Sequence, residues 1–280
     1  MKVIIAGGSG FIGQYLLRSL GARGHSLHVV SRGGEDLRWD DPRGLTAALE
    51  DSDLVINLAG KSVNCRYNAH NREAILRSRV ESTRLLGEAI SRCQLPPPLW
   101  INASTATWYR DAMDRPMTEK TGESGSGFSV DVASRWEEAF FGLHIPGVRQ
   151  VALRTAIVLG KDGGALRPYR NLVSAGLGGH QGDGTQMFSW IHEADLLGII
   201  LFLNERPDLE GVFNAAAPGP LTNRQFMKAL RQVSGARIGI PTPGWMLKAG
   251  AAFIGTETEL VLKSRWVIPE RLTENGYRFR

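Results

Sequence analysis

Residues 2–13 read KVIIAGGSGFIG, and no other stretch limits the possible folds of this chain so narrowly. Val3, Ile4 and Ile5 form a β-branched run suited to a strand buried on both faces. The run stops at Gly7. Glycines follow at Gly7, Gly10 and Gly13, and a helical pattern starts with Phe11, Ile12, Tyr15, Leu16 and Leu17. The string satisfies G-x-G-x-x-G from Gly8 and G-x-x-G-x-x-G from Gly7. A strand, a glycine turn and a helix start build a dinucleotide-phosphate site. Gly7 permits the turn, Gly10 lets the backbone approach a pyrophosphate, and Gly13 lets the helix pack closely. The phosphates would sit on the free N–H groups at the helix start, with Ser9, Phe11 and Ile12 completing the turn. The competing reading is a glycine-rich turn without a ligand.

The chain has 280 residues, of which 42% are hydrophobic and 22% charged, enough to bury a large core. The opening strand leaves no room for a signal peptide in this reading. No apolar run approaches the roughly 18 residues of a membrane span. Cys65 and Cys93 are the only cysteines and lack metal-ligand spacing, which points to a reduced, cytoplasmic protein. The net charge is +5, from arginines scattered along the chain without a nucleic-acid motif. A phosphate-bearing cofactor or substrate explains that excess better than nucleic acid does.

A second strand is expected over His25–Ser31. Sites that prefer NAD hold the ribose 2′-hydroxyl with an acidic residue about 20 positions beyond the glycines. This chain has Ser31-Arg32-Gly33 there. A hydroxyl and a planar guanidinium suit a 2′-phosphate, so NADP(H) is favoured, unless Arg32 is simply an exposed loop residue. An edge strand is read over 37–40 and a helix over 45–50. Residues 53–60, DLVINLAG, form a buried strand whose tip places Leu58, Ala59 and Gly60 at the cofactor edge. A long helix over 71–91 carries Arg72, Arg77, Arg79 and Arg84. Most of these arginines read as solvated, and one that faces the cleft could hold a phosphate. Residues 99–104 (LWINAS) are the next strand. Alternating strands and helices give a parallel, doubly wound sheet.

Taken together, these stretches resemble the extended short-chain dehydrogenases/reductases of the nucleotide-sugar epimerase type, and within them the SDR39U subfamily. The resemblance rests on GGSGFIG, Ser31-Arg32, NLAG at 57–60, Ser78-Arg79, STATWY at 104–109 and Trp136-Glu137. It continues through LRTAIVLG at 153–160, GLGGHQGDG at 176–184, Trp190-Ile191-His192 with Asp195, and the closing VIPERL and GYRF. It implies a Rossmann fold with a small C-terminal substrate lobe, bound NADP(H) with Arg79 facing the cleft and touching the cofactor while Arg77 and Arg84 are solvated, and epimerase or oxidoreductase chemistry on a small molecule such as a nucleotide sugar.

The wider superfamily also implies a Tyr-x-x-x-Lys pair, in which tyrosine is the acid/base and lysine lowers its pKa. None of Tyr15, Tyr67, Tyr109, Tyr169 or Tyr277 is followed by lysine four positions on. Val132 and Trp136 stand where the pair belongs. Ser104, at a strand end, and Tyr109, five residues later, are the candidate catalytic groups. With no nearby cation, Tyr109 would keep a pKa near ~10; alternatively it is a packing residue. His192 is a further titratable candidate that reads better as structural, where it enters a helix; Asp195 is read as tethering that turn or capping the helix, and Lys61 as a solvated loop lysine rather than a cofactor contact.

Residues 1–160 are assigned to the NADP-binding domain, with the sheet completed by 186–216. Residues 161–185 and 217–280 form the C-terminal lobe. Val148–Gly160 is read as one strand ending beside the nicotinamide, with Val158 near its tip. Residues 161–186 are read as an irregular cleft loop. Helices are expected at 196–203, 222–233, 245–253 and 257–264. The rival to an enzyme is a cofactor-binding sensor or scaffold without chemistry, and the sequence leaves the oligomeric state open.

Overall fold

The computed structural model describes residues 1–33, 36–247 and 263–280. Its strands are β1 (Lys2–Ala6), β2 (Ser26–Ser31), β3 (Leu37–Arg38), β4 (Leu54–Asn57), β5 (Leu99–Thr105), β6 (Arg149–Thr155), β7 (Ile157–Gly160), β8 (Gly163–Gly164), β9 (Met187–Phe188), β10 (Trp190–His192), β11 (Gly211–Ala215) and β12 (Leu221–Thr222). The helices are α1 (Phe11–Gly21), α2 (Pro42–Leu49), α3 (Ala69–Ile90), α4 (Phe128–Phe141), α5 (Leu166–Ser174), α6 (Glu193–Glu205), α7 (Asn223–Val233) and α8 (Glu270–Glu274). Seven strands form one sheet in the order β3-β2-β1-β4-β5-β6-β11, every pairing parallel. This is the doubly wound Rossmann arrangement, with its switch point between β1 and β4.

Alternation along the strands decides which face each residue serves. Val3, Ile5, Leu54, Ile56, Leu99, Ile101, Val151 and Leu153 point to one face and pack against α1 and α6. Ile4, Ala6, Val55, Trp100 and Ala152 point to the other, against α2, α3 and α4. Helix α6 buries Leu196, Leu197, Ile199, Ile200 and Leu203 around much of its circumference, as expected of a core helix. On the α3–α4 face the same alternation turns polar toward the strand ends, where Asn57, Asn102, Ser104 and Arg154 continue the rows of Val55, Trp100 and Ala152 and are themselves buried. Ligands of open α/β sheets bind beyond these carboxyl ends.

Three features differ from the sequence reading. The expected strand over 148–160 breaks at Ala156, whose N–H bonds Ala215 O. Only Arg149–Thr155 stays in the large sheet, and β7 pairs with β10 and β8 instead. The irregular loop over 161–186 contains a helix, α5. Leu166, Tyr169 and Val173 recur at helical spacing and pack with Phe188, Phe226 and Met227 in a separate core, and Pro168 is tolerated because it lies in the first turn. Of residues 186–216, only 211–215 join the large sheet. The helices expected at 245–253 and 257–264 lie largely outside the described residues.

The C-terminal segment is fastened to the sheet. Ser189 Oγ bonds the carbonyls of Arg265 (2.7 Å) and Val267 (3.1 Å). Arg271 donates to Val212 O (2.6 Å) and lies over the Phe213 ring. Asp195 does not cap its helix; it receives the Tyr277 hydroxyl (3.2 Å) and the Arg280 N–H (3.1 Å). His192 is the cap, its Nδ1 accepting the Ala194 N–H. Among the described residues no helix is long and apolar enough to cross a membrane.

Candidate functional site

The glycine turn is held by contacts that a side chain would destroy. Gly7 has φ +81°, and a Cβ there would lie 2.8 Å from Ala59 N and from the Leu58 carbonyl. The tip of β4 is thus pressed onto the turn, with Leu58 N bonded to Ala6 O at 2.8 Å. A Cβ on Gly13 would stand 2.6 Å from Gly7 O and 2.7 Å from Gly8 Cα, so α1 packs on the turn itself. Gly10 differs: a Cβ there would meet only Gly7 O, at 3.5 Å. Gly10 is the N-cap of α1, and no side chain caps the helix. The first N–H groups of the helix have no intrahelical partner and open onto that space, with Ser9 exposed beside them. This cradle fits a pyrophosphate. The Phe11 ring turns away to cover Gly163 and Gly164 of β8. Arg32 is exposed at the end of β2, next to Ser31.

A buried polar network fixes the tip of β4. Asn57 Oδ1 accepts the Ala59 N–H (3.0 Å), and its Nδ2 donates to Asn102 Oδ1 (2.7 Å) and Thr83 Oγ1 (3.1 Å). Trp136 Nε1 donates to the same Thr83 oxygen at 3.0 Å. Trp136 therefore anchors α4 to α3. The following loop is gripped by Ser78, whose Oγ accepts the Lys61 N–H, and by Arg79, whose Nη1 donates to Lys61 O (3.0 Å) and Ile75 O (3.1 Å). The Arg79 guanidinium lies 5.1 Å from the Trp136 ring centroid, and burial lowers its pKa to about 10. Arg77 and Arg84 are exposed, and Arg77 pairs with Glu81.

The candidate catalytic groups sit in a second network. Ser104 and Arg154 are register partners across β5 and β6. Both reach Glu137 on α4: Ser104 Oγ donates to Oε1 at 2.5 Å, while Arg154 donates from Nε to Oε1 (2.9 Å) and from Nη2 to Oε2 (2.7 Å). The Arg154 guanidinium stacks 3.5 Å from the Trp108 ring centroid and 5.0 Å from that of Tyr109. Tyr109 is 2% exposed, and its hydroxyl donates to Asn214 Oδ1 at 2.9 Å. Two expectations change here. A cation does stand beside Tyr109, supplied by β6. Burial nevertheless outweighs Arg154 and Asn214 and pushes the phenol above its usual value. Neither candidate hydroxyl keeps its proton for a ligand: that of Ser104 goes to Glu137 and that of Tyr109 to Asn214. Val158 lies in the core opposite Ile191 rather than at a tip of the large sheet.

Sequence reasoning passed over Glu137 and Arg154 as functional residues. The available signal was a charge on each of two otherwise apolar faces. Arg154 interrupts the strand VALRTAIVLG, and Glu137 shares the buried side of α4 with Val130, Ala133, Trp136 and Phe140. Two opposite charges with no water to face must find each other.

Residues 3–129 match the NAD dependent epimerase/dehydratase family, and residues 242–280 match a domain of unknown function, DUF1731. The human epimerase family protein SDR39U1 is 34% identical over 286 residues, covering all of this chain and 95% of its own. The chain belongs to this epimerase family. The crystal structure of human SDR39U1 (isoform 2) with NADPH superposes on the whole chain with a TM-score of 0.88 at 33% identity, covering 95% of that structure. A nucleoside-diphosphate sugar epimerase from Corynebacterium glutamicum gives a TM-score of 0.79 at 30% identity, over 99% of this chain and 55% of that one. The resemblance read from the sequence is therefore correct to the subfamily.

Proposed function

We propose that this protein binds NADP(H) and works on a small hydroxyl- or carbonyl-bearing substrate, as an epimerase-like or oxidoreductase-like protein without the Tyr-x-x-x-Lys pair. The observation that carries the reading is the cradle of Gly7, Gly10 and Gly13. Its contacts exclude side chains everywhere except above Gly10, where the uncapped start of α1 opens. In this reading the N–H groups of Phe11, Ile12 and Gly13 hold the pyrophosphate, and Ser31 and Arg32 hold the 2′-phosphate. Leu58, Ala59 and Gly60 form the floor, and Arg79 closes the side. The crystal structure of the human relative with NADPH supports the choice of cofactor. NADP(H), when bound, supplies or accepts a hydride.

The chain's own part in the chemistry is narrower than a tyrosine dyad. Ser104, its proton held by Glu137, can only accept a hydrogen bond from a ligand, so it would orient a hydroxyl group. Tyr109 serves as a packing and anchoring residue. A nucleotide sugar is one substrate this reading admits, and a reduced, cytoplasmic setting suits the two free cysteines. A second reading, a sensor or scaffold that binds NADP(H) without turnover, is favoured by the internal commitment of both hydroxyl protons.

Titration of NADPH and NADH against the intrinsic tryptophan fluorescence tests the binding claim. The expected result is tighter binding of NADPH; equal or tighter NADH binding overturns it. Oxidation of NADPH across a panel of carbonyl compounds and nucleotide sugars then separates the two readings. Tight binding with no turnover on that panel selects the sensor.

A further inference from the structure

A groove of about 450 Å³ opens where three segments meet: the loop after β5 with Asp111, the turn before β9 with Asp183, Thr185 and Gln186, and the C-terminal segment with Trp245 and Ser264. None of these residues belongs to the glycine turn or to the network around Glu137. The lining hydroxyls and the amide nitrogen donate inside the protein: Ser264 Oγ to Ala112 O (2.7 Å), Thr185 Oγ1 to Asp183 Oδ1 (2.9 Å) and Gln186 Nε2 to Gln181 O (2.9 Å). Acceptors are left over. Asp111 and Asp183 each use Oδ1 on the chain itself, taking the N–H groups of Ser264 (3.0 Å) and Thr185 (2.9 Å), which leaves Oδ2 of each. Gln186 is 8% exposed, and its Oε1 is buried without a hydrogen-bond partner. Because Nε2 faces the Gln181 carbonyl, the orphan is the oxygen. Asn223 holds this corner in place, its N–H bonding Gln186 O (2.9 Å) and its Nδ2 bonding Gln181 Oε1 (3.1 Å).

The chemistry of the lining selects the ligand. Among the described residues no lysine or arginine lines the groove, and Arg224 is engaged by the Asp183 carbonyl (2.9 Å). The Thr185 bonds hold the Asp183 carboxyl below its usual range, so it is charged at neutral pH. Two carboxylates beside an orphan carbonyl oxygen repel a phosphate and favour a ligand that brings N–H donors and positive charge. Trp245, 71% exposed, offers the face of its ring, which attracts cations through its quadrupole. Among the described residues no three metal-ligating side chains gather, and a metal ion would gain nothing from an indole face. We infer that this groove binds a small organic ammonium ion, its N–H groups on Asp111, Asp183 and Gln186 Oε1 and its carbon body against Trp245. The inference does not depend on the NADP(H) reading above.

Three probes share one ring and differ in the charge of a single substituent: cyclohexylamine, cyclohexanol and cyclohexanecarboxylate. Each is titrated at neutral pH against the full chain by NMR, following the Trp245 indole N–H signal, which its loss in Trp245→Phe assigns. The same titrations are run on the double variant Asp111→Asn with Asp183→Asn, whose amide oxygens can still accept the Ser264 and Thr185 N–H groups. The amine is expected to bind the parent at least about ten-fold more tightly than the alcohol, with no binding of the carboxylate. The double variant should lose roughly ten-fold in affinity for the amine and stay within about two-fold for the alcohol. Added salt should weaken the amine and leave the alcohol unmoved. Equal affinity for amine and alcohol, preference for the carboxylate, or absence of amine binding to the parent would each overturn the inference. So would an amine affinity that the double variant keeps, which would place the cation elsewhere on the surface. Should the double variant fail to fold, Asp111→Asn and Asp183→Asn are tested singly, each with an expected loss of about three-fold for the amine; no loss in either overturns the inference.

Discussion

The two ends of this cleft are built on opposite terms. At the turn between β1 and α1, the polar groups that could meet a ligand are left open: the helix start is uncapped and Gly10 faces space. At the ends of β5 and β6, the polar groups that could do chemistry are spent on each other, Ser104 on Glu137, Glu137 on Arg154, Tyr109 on Asn214. Binding machinery has to be unsatisfied before its ligand arrives. A fully satisfied buried network instead rigidifies a core and keeps its protons. The difference is between a cradle built open and a strand-end network built closed, and each prediction below attacks one side of it.

The largest effect is expected from Glu137→Ala. It strands Arg154, whose side chain is 8% exposed, and frees Ser104. Removing one partner of a buried ion pair costs about 3–5 kcal/mol. Urea unfolding should show that loss, and a double variant, Glu137→Leu with Arg154→Met, should recover much of it. Full recovery with NADPH affinity intact would mark the pair as a structural clamp between α4 and β6. Retained stability in Glu137→Ala alone would break the picture of a closed network.

Arg32→Ala attacks the open side. Arg32 is exposed, so the fold should be indifferent to it, whereas a lost charge-assisted contact to a 2′-phosphate costs roughly 1.5–3 kcal/mol in binding. NADPH affinity should fall by that amount and NADH affinity should not move. Undiminished NADPH binding would remove Arg32 from the site.

The glycines refine the same side. Gly13→Ala drives a methyl into the backbone of Gly7 and Gly8, which cannot swing aside, and overpacking of that kind costs about 1–3 kcal/mol of stability. Gly10→Ala meets open space, so its stability should change by under about 1 kcal/mol, while its methyl stands in the path of the pyrophosphate and weakens NADPH binding. Thermal melts with and without NADPH distinguish the two. If Gly10→Ala bound NADPH normally, the phosphates would have to lie elsewhere.

How far each end could be read from sequence follows from the range of its interactions. A glycine's task is local: the φ of Gly7 and the clash at Gly13 involve the turn and its immediate neighbours, so spacing announces them. The parallel sheet was legible for the same reason, through strand-by-strand runs such as VIIA and LVIN. Tyr109 could not be placed, because its partner Asn214 lies 105 residues further on and nothing near Tyr109 points to it. Arg154 and Glu137 showed only as charges on apolar faces. The break at Ala156 was equally hidden: residues on both sides of it are β-formers, and only pairing with β10 decides that β7 leaves the sheet. Helix α5 was readable from Leu166, Tyr169 and Val173, but the glycines on either side masked it.

The smallest effect, and the sharpest test of the closed side, is Tyr109→Phe. It deletes one buried hydrogen bond and leaves Asn214 Oδ1 without that donor, a loss of about 1 kcal/mol. Turnover of any accepted substrate should be unchanged, since the phenol proton is committed to Asn214; a large fall in rate would return Tyr109 to the reaction. The pH dependence adds a second readout. Burial raises the Tyr109 pKa in the folded state, the Arg154 guanidinium and the Asn214 bond offsetting it only in part. A raised pKa favours the protonated form in the native state, so the associated stability is fully present below the unfolded value near 10 and is lost as pH climbs through and above it. Tyr169, its phenol pushed up to about 12, shares this behaviour. The protein should therefore lose stability above about pH 10, and Tyr109→Phe should lose less over that interval, narrowing its deficit against the parent as the solution becomes alkaline. Parallel stability–pH curves for the two proteins would mean that the phenol titrates as freely in the native state as in the unfolded chain, and that the network around Arg154 is open to water.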